Sequence, residues 1–342
     1  MPPVWVRRLV FAPLVIVLAL VLLTTLPVWL ILAVALSPFM PGHLRVPRLI
    51  WLGIVYVVWD AAALFALFVL WITFGFGWKI RSPRSQLWHY GLTRQFLRFL
   101  FWIARWSLHL TIDVVGTDPD TALPGRPEIV VSRHAGPGDS FILIHALVNW
   151  FAREPRIVLK ATLQWDPAID VLLNRLPSRF IMPGKQKANL EEQVGELADG
   201  LDDNDAFVIF PEGGNFTPRR RVKAIEFLRR KGMPDLAEKA EDLRNLLPPK
   251  PGGLLAAIDA APDSGVVFVA HTGLDRMMTV ADVWRELPMD KKLVMRFWSV
   301  APEEIPATEE ERVTWLYEWW ALIDSWVEEN KPAPLPRRLP AT

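Results

Sequence analysis

Two long apolar stretches open the chain, and a different pattern follows them. Residues 9–39 (LVFAPLVIVLALVLLTTLPVWLILAVALSPF) carry no charge, and a second run, residues 49–78, is interrupted only by Asp60. About 20 apolar residues suffice for a helix to span a bilayer, so each run is long enough with tilt. Pro13 and Pro27 are placed to kink the first. The connector PGHLRVPR is short, so the pattern predicts a helical hairpin that returns the chain to the side it started from. A cleaved signal peptide has a far shorter apolar core. A re-entrant hairpin that dips into one leaflet is the alternative. Asp60 then lies near an interface, caps a helix, or acts as a functional intramembrane acid.

Residues 85–110 (SQLWHYGLTRQFLRFLFWIARWSLHL) contain no acid. Arg94, Arg98 and Arg105 share one helical face, and Leu92, Phe96, Phe99 and Ile103 lie away from them. A basic helix with apolar and aromatic residues opposite reads as lying in the headgroup plane. The other reading is a helix packed on the domain that follows.

From about residue 111 short apolar runs alternate with amphipathic stretches. Residues 128–132 (EIVVS), 156–159 (RIVL), 206–210 (AFVIF) and 266–270 (VVFVA) read as strands; 141–152, 190–201 and 223–231 read as helices. This alternation predicts an α/β domain with a mixed, mostly parallel sheet flanked by helices. Residues 247–253 (LPPKPGG) read as a turn inside the domain. Residues 309–329 read as a terminal helix whose Trp315, Trp319, Trp320 and Trp326 pack on the domain or the bilayer. The expected organisation is a membrane hairpin over 1–84, a surface helix over 85–110, the α/β domain over 111–330 and a Pro-rich disordered tail over 331–342.

Composition sharpens this picture. Of 342 residues 51% are apolar, and Cys is absent, which excludes disulfides, thiolate metal sites and a Cys nucleophile. The net charge of +1 hides a segregation: residues 1–112 hold ten Lys/Arg against one acid, for +9, and residues 113–342 hold 28 against 36, for −8. A basic front and an acidic rear suit an anionic membrane surface. They do not suit a nucleic-acid binder, whose cations would lie on the globular domain. Arg7, Arg8, Lys79, Arg81 and Arg84 flank the hairpin ends and Arg45 and Arg48 its connector, which places both ends and the globular domain on the cytoplasmic side.

Three groups of residues could carry chemistry. His134 follows the first strand of the domain, and Asp139 and Ser140 open an apolar helix after Gly136-Pro137-Gly138. On one continuous helix His134 and Asp139 would stand ~140° apart, but the Gly-Pro-Gly corner lets the chain fold back. Asp139 can then hold one imidazole nitrogen and leave the other as a base, with a substrate hydroxyl as nucleophile. The helix start offers N–H groups to an oxyanion. Alternatively, Asp139 or Ser140 is only a helix cap. The second group is Glu212, Gly213 and Gly214 after the strand 206–210, followed by Arg219, Arg220 and Arg221. Glycines let backbone amides approach a ligand and arginines suit phosphate; the plainer reading is a turn and a solvated helix start. The third is Lys160, Arg179 and Lys185, which are either surface charges or the rest of a phosphate site. No compact metal-ligand spacing such as H-E-x-x-H occurs.

The order of these groups resembles the glycerolipid acyltransferases, the family of 1-acylglycerol-3-phosphate and other lysophospholipid acyltransferases. His134-Asp139 matches its HxxxxD motif and Phe210-Pro211-Glu212-Gly213 its FPEG motif. Asn215-Phe216-Thr217, residues 223–233 and 246–253, and Met295-Arg296-Phe297 with Ile305-Pro306 resemble the eukaryotic-type branch, so the likeness covers about residues 126–330. Gly214 stands where the family often has Thr or Ser, and the second motif survives only as Arg179-Phe180-Ile181, with Lys185 as the cation beyond. In the fourth motif the strand 266–270 runs into His271 and Thr272, where the family usually places Pro or Thr. The resemblance implies transfer of an acyl group from acyl-CoA or acyl carrier protein, as co-substrate, to a lysophospholipid hydroxyl. His134 would be general base and Asp139 its orienter. Glu212, Gly213 and Gly214 would shape the acceptor pocket, and Lys160, Arg179, Lys185, Arg219, Arg220 and Arg221 would contact phosphate. It implies neither an acyl-enzyme, a resident cofactor nor a metal. A membrane-bound hydrolase or phosphatase and a non-catalytic membrane scaffold are the competing classes.

Overall fold

The structure, a computed structural model, describes residues 1–39, 45–136, 138–181, 190–273, 275, 284 and 292–332, without the side chains of Arg45 and Leu108. Lys185 and the tail from residue 333 therefore lie outside the described residues.

Helices α1 (Val4–Thr24), α2 (Leu26–Leu36) and α3 (Arg45–Thr73) form the apolar front. Residues 4–24 and 46–73 are long and apolar enough to cross a membrane, and few of their residues are buried. Pro13 does not break α1; a π-helical turn over Arg7–Phe11 precedes it. The break comes at Thr25, two residues before Pro27. That is expected, because proline has no N–H to donate and restricts the residue ahead of it. Phe74–Ser82 is a chain of tight turns, with Gly75 and Gly77 at positive φ. The second apolar helix therefore stops at Thr73, short of Trp78.

Helix α4 (Pro83–Leu108) is capped by the Ser82 hydroxyl, which accepts from Ser85 N–H. It is not a free surface helix. Trp59 of α3 stacks on Phe96 and Phe99. On the domain side the Tyr90 hydroxyl donates to Pro155 O at 3.1 Å, and Arg94 Nε donates to Val148 O at 3.0 Å. Phe101 and Leu110 join the domain core. Leu87, Trp88, Trp102 and Trp106 remain exposed along the helix. Of the two sequence readings, packing on the domain governs most of this helix.

The sheet has the order β1 (Thr111–Gly116), β7 (Lys292–Val300), β6 (Gly265–Thr272), β2 (Glu128–Ser132), β5 (Asp205–Ile209), β3 (Glu154–Lys160), β4 (Ser178–Ile181). Every neighbouring pair is parallel except β6 with β7. The central strands β2, β5 and β6 are buried at every position. Both sheet faces are covered, which is why these strands read as unbroken apolar runs rather than alternating ones. Ile129 and Val131 face helices α7 (Leu190–Ala198), α10 (Pro251–Ala260) and α11 (Glu309–Asn330). Val130 faces α5 (Asp139–Asn149) and the end of α4. The mixed, mostly parallel sheet flanked by helices is the architecture expected from sequence.

Three strands escaped the pattern, as did the helices over residues 167–173 and 234–242. β1, β4 and β7 are edge or near-edge strands with polar residues along them. The expected turn at 247–253 continues into α10, because Pro251 takes a first-turn position where its missing N–H is harmless. α11 begins with a reciprocal capping box between Thr308 and Glu311. Its tryptophans meet the domain: Trp319 stacks on Phe268, Trp326 meets Trp298 edge-on, and buried Trp320 donates to Leu247 O at 3.0 Å.

A polar contact fixes the hairpin to the domain. Buried Arg7 pairs at 3.2 Å with Asp170 of α6 (Pro167–Leu173). Asp60 is buried where α3 meets α6, beside the Tyr56 hydroxyl, which donates to Asp166.

Candidate active site

The site forms where β2, β5 and β6 end on the same edge of the sheet. β2 is followed by Arg133 and His134, then by the corner that leads into α5. His134 is held by its backbone: its N–H donates to Glu212 Oε1 at 2.6 Å, and its carbonyl accepts from Phe216 N–H at 3.1 Å. Asp139 folds back over the corner, and its Oδ2 accepts from Gly136 N–H. The same oxygen lies 3.7 Å from His134 Nδ1. The dyad thus forms across the corner, at the positive end of α5. At 3.7 Å it is looser than a hydrogen bond, as unliganded catalytic pairs often are. The carboxylate is sealed, whereas 13% of the His134 side chain is exposed although its Nδ1 is buried. The reachable nitrogen is therefore Nε2. Phe210 packs against the ring with centroids 5.0 Å apart.

Burial alone would raise the pKa of Asp139. His271, the contact to His134, the Gly136 amide and Arg133 together outweigh it and bring the pKa below the ordinary value. The carboxyl stays ionised, as an orienter of imidazole must.

Glu212 lies on the loop after β5. Its two oxygens accept from His134 N–H and from Leu247 N–H, the latter at 2.9 Å. The acid ties the histidine corner to the 247–250 turn, and its side chain is spent on scaffolding rather than aimed at a ligand. Burial pushes its pKa up to about 7, against those two amides and Arg133. Gly213 N–H closes a turn onto Phe210 O, and its φ of +66° is a conformation that glycine adopts without strain.

Three cations gather on this loop. A Cβ on Gly213 would lie 2.7 Å from Lys250 Nζ; one on Gly214 would lie 2.9 Å from Arg220 Nη1 and 4.0 Å from Lys160 Nζ. Arg220 also donates to Asn215 O at 3.0 Å. Burial, reinforced by Arg220, lowers the pKa of Lys160. Two lysines and an arginine thus stand over a glycine loop, a grouping whose chemistry suits an anion. Lys250 escaped the sequence reading because it lies in the Pro/Gly turn, 37 residues after Gly213. The hydrogen bond from Lys250 N–H to Pro211 O at 2.9 Å brings it in.

Other expected phosphate contacts lie away from this loop. Arg179 pairs with Glu196 of α7 at 2.7 Å and lines a separate cleft of about 620 Å³ with Arg81 and Arg175. Arg221 donates to Glu241 O of the neighbouring helix α9 (Pro234–Asp242), and Arg219 is exposed on the first turn of α8 (Pro218–Arg230). The position of each on α8 explains this: successive residues turn ~100° apart, so Arg220 alone of the three is given a place at the loop.

Sequence comparison aligns residues 113–273, from β1 through β6, with the acyltransferase family model. No curated protein sequence matches the chain. Among solved structures the fold is similar to the crystal structure of PlsC from Thermotoga maritima, a 1-acyl-sn-glycerophosphate (LPA) acyltransferase, with a TM-score of 0.52 and 16% identity over 84% of this chain and 98% of that one. The matched segment contains His134, Asp139, Lys160 and the Glu212 loop. Residues 113–273 thus match an acyltransferase domain, and the fold around it is similar to that of a 1-acyl-sn-glycerophosphate acyltransferase.

Proposed function

We propose that the chain esterifies the free hydroxyl of a lysophospholipid, 1-acylglycerol-3-phosphate first, with an acyl group from acyl-CoA or acyl carrier protein, to give phosphatidic acid. The observation that carries this reading is the His134–Asp139 pair set beside one glycine loop with Lys160, Arg220 and Lys250. A base and a phosphate-sized cation cluster side by side suit an acceptor that carries a hydroxyl and a phosphate on one small backbone.

His134 Nε2 takes the hydroxyl proton as the oxygen attacks the thioester carbonyl. Asp139 holds Nδ1–H and stabilises the imidazolium. The tetrahedral intermediate collapses, the C–S bond breaks, and the proton on Nε2 passes to the departing sulfur. Lys160, Arg220 and Lys250 hold the acceptor phosphate and fix the distance from phosphate to hydroxyl.

The two apolar helices support a membrane seat, with the domain on the cytoplasmic face where both thioester donors occur. Each buried CH₂ holds a lipid in the bilayer by ~0.8 kcal/mol, so an enzyme at the headgroup plane avoids extracting its acceptor. The test is detergent-solubilised full-length protein with labelled acyl-CoA or acyl carrier protein and a panel of lysolipids, separated by chromatography. Phosphatidic acid formed by wild type and lost in His134→Ala is the expected result. Fatty acid released without any esterified lysolipid would make the protein a hydrolase, and full activity in His134→Ala would remove the mechanism.

A further inference from the structure

A second histidine stands on the other side of the Asp139 carboxylate. His271 belongs to β6, which is buried at every position and lies beside β2 in the sheet. Its Nε2 lies 3.8 Å from Asp139 Oδ2, the oxygen that His134 Nδ1 approaches at 3.7 Å. The same Nε2 is 3.3 Å from Arg133 O. A carbonyl only accepts, so this contact requires the proton on Nε2, the nitrogen that faces Asp139. His271 therefore carries a buried Nε2–H that meets Arg133 O and stands within 3.8 Å of the orienting carboxylate.

The surroundings hold it there. Arg133 runs under the corner, 2% exposed, and Nη1 donates to His271 O at 2.5 Å and to Asp275 Oδ1 at 2.7 Å. Asp275 is fixed by Thr272 Oγ1 at 2.7 Å and Gly273 N–H at 2.9 Å. The charged and titratable groups around the pair are His134, Arg133, Asp275 and Glu212. Burial, the dominant influence, lowers the pKa of His271, against the pull of Asp139. Asp139 Oδ1 is buried with no hydrogen-bond partner among the described residues, while both imidazoles converge on Oδ2. Oδ1 is thus a second acceptor that one imidazole would meet if the carboxylate turned.

We infer that His271 is a positioning residue for acyl transfer: its Nε2–H holds the Asp139 carboxylate so that the other oxygen meets His134 Nδ1–H. The proton accepted by His134 then stays on the imidazole until it passes to the sulfur, because an Asp139 that also receives donors from Gly136 and His271 has less need of one. This inference rests on the acyltransfer reading above.

The experiment is steady-state kinetics of the full-length protein with His271→Leu and His271→Gln, beside wild type and His134→Ala. Glutamine places an amide N–H near the position of Nε2; leucine keeps the bulk and removes the donor. We expect His271→Leu to lower kcat about 10- to 100-fold, the loss of one hydrogen bond to a charged group. KM for both substrates should stay within about twofold, and His271→Gln should recover kcat to within about threefold of wild type. If the leucine variant does not fold, His271→Asn takes its place: its amide is one methylene too short, and it should fall at least about tenfold below the glutamine variant. Wild-type kcat in the leucine variant, equal losses in folded leucine and glutamine variants, equal activity in glutamine and asparagine variants, or a change confined to KM would each overturn the inference. Failure of wild type to acylate any lysolipid would instead sink the underlying reading, so the two failures are distinguishable.

Discussion

The carboxylate of Glu212 holds the backbone of His134, not its side chain: Oε1 accepts from His134 N–H at 2.6 Å, while Oε2 accepts from Leu247 N–H. One buried acid thereby fixes the position of the candidate base and brings in the turn that carries Lys250. Replacing it with glutamine leaves one acceptor and one donor facing two N–H groups. We expect Glu212→Gln to lower kcat by at least about tenfold, because a misplaced base is costly even when present. Kinetics with saturating acceptor will show it; wild-type kcat would assign the acid a purely structural place.

Glu212 also predicts a pH dependence of stability. Its pKa in the folded protein is about 7, above the ordinary 4.5. The folded state therefore holds a proton that the unfolded state releases between those values. The stabilisation is full below about pH 4.5 and is lost as pH rises through 7, by roughly 3 kcal/mol in all. Glu212→Gln cannot titrate. The melting temperature of wild type should fall relative to the variant between pH 5 and 8, with Glu128, also raised by burial to about 7, present in both. A constant difference across that range would mean that Glu212 is ionised throughout.

The cation cluster predicts a split between binding and chemistry. Lys250→Met should raise KM for 1-acylglycerol-3-phosphate by about tenfold or more, the scale of a hydrogen bond to a charged group, and leave kcat within a few-fold. A monoacylglycerol without phosphate should be unaffected. Steady-state kinetics with the two acceptors separates these outcomes, and an equal effect on both would place Lys250 outside a phosphate site.

Gly213→Ala tests the loop itself. The residue is at φ +66°, and its new Cβ would fall 2.7 Å from Lys250 Nζ. The left-handed backbone costs about 1 kcal/mol for alanine, and Lys250 must move. A melting temperature lower by a few degrees with KM raised as in Lys250→Met is the expected pair of results; a raised KM without any loss of stability would contradict the backbone argument.

The hairpin contact gives a stability prediction. Arg7 and Asp170 are a buried pair at 3.2 Å, and Asp170→Ala leaves the arginine buried and unpaired. Breaking such a pair costs about 3–5 kcal/mol. Thermal unfolding in detergent should shift down, and a protease should cut between the hairpin and the domain more readily than in wild type. An unchanged melting temperature would show that the pair is open to solvent.

The chain order already determined the apolar hairpin, the alternation of strands and helices, and the His134–Asp139 pair. Each is written in local spacing: unbroken apolar length, periods of hydrophobicity, and a Gly-Pro-Gly corner between two chemical groups. Tertiary structure decided what spacing cannot encode. Residues 37 positions apart, Gly213 and Lys250, meet because a backbone hydrogen bond joins their loops. His271 reaches Asp139 because β6 lies beside β2 in the sheet, although 132 residues separate them in the chain. Arg179 and Arg221 leave the expected phosphate site because nearer partners, Glu196 and Glu241, claim them. A charge pairs with whatever the fold brings within reach, and that distance is a property of packing, not of position along the sequence.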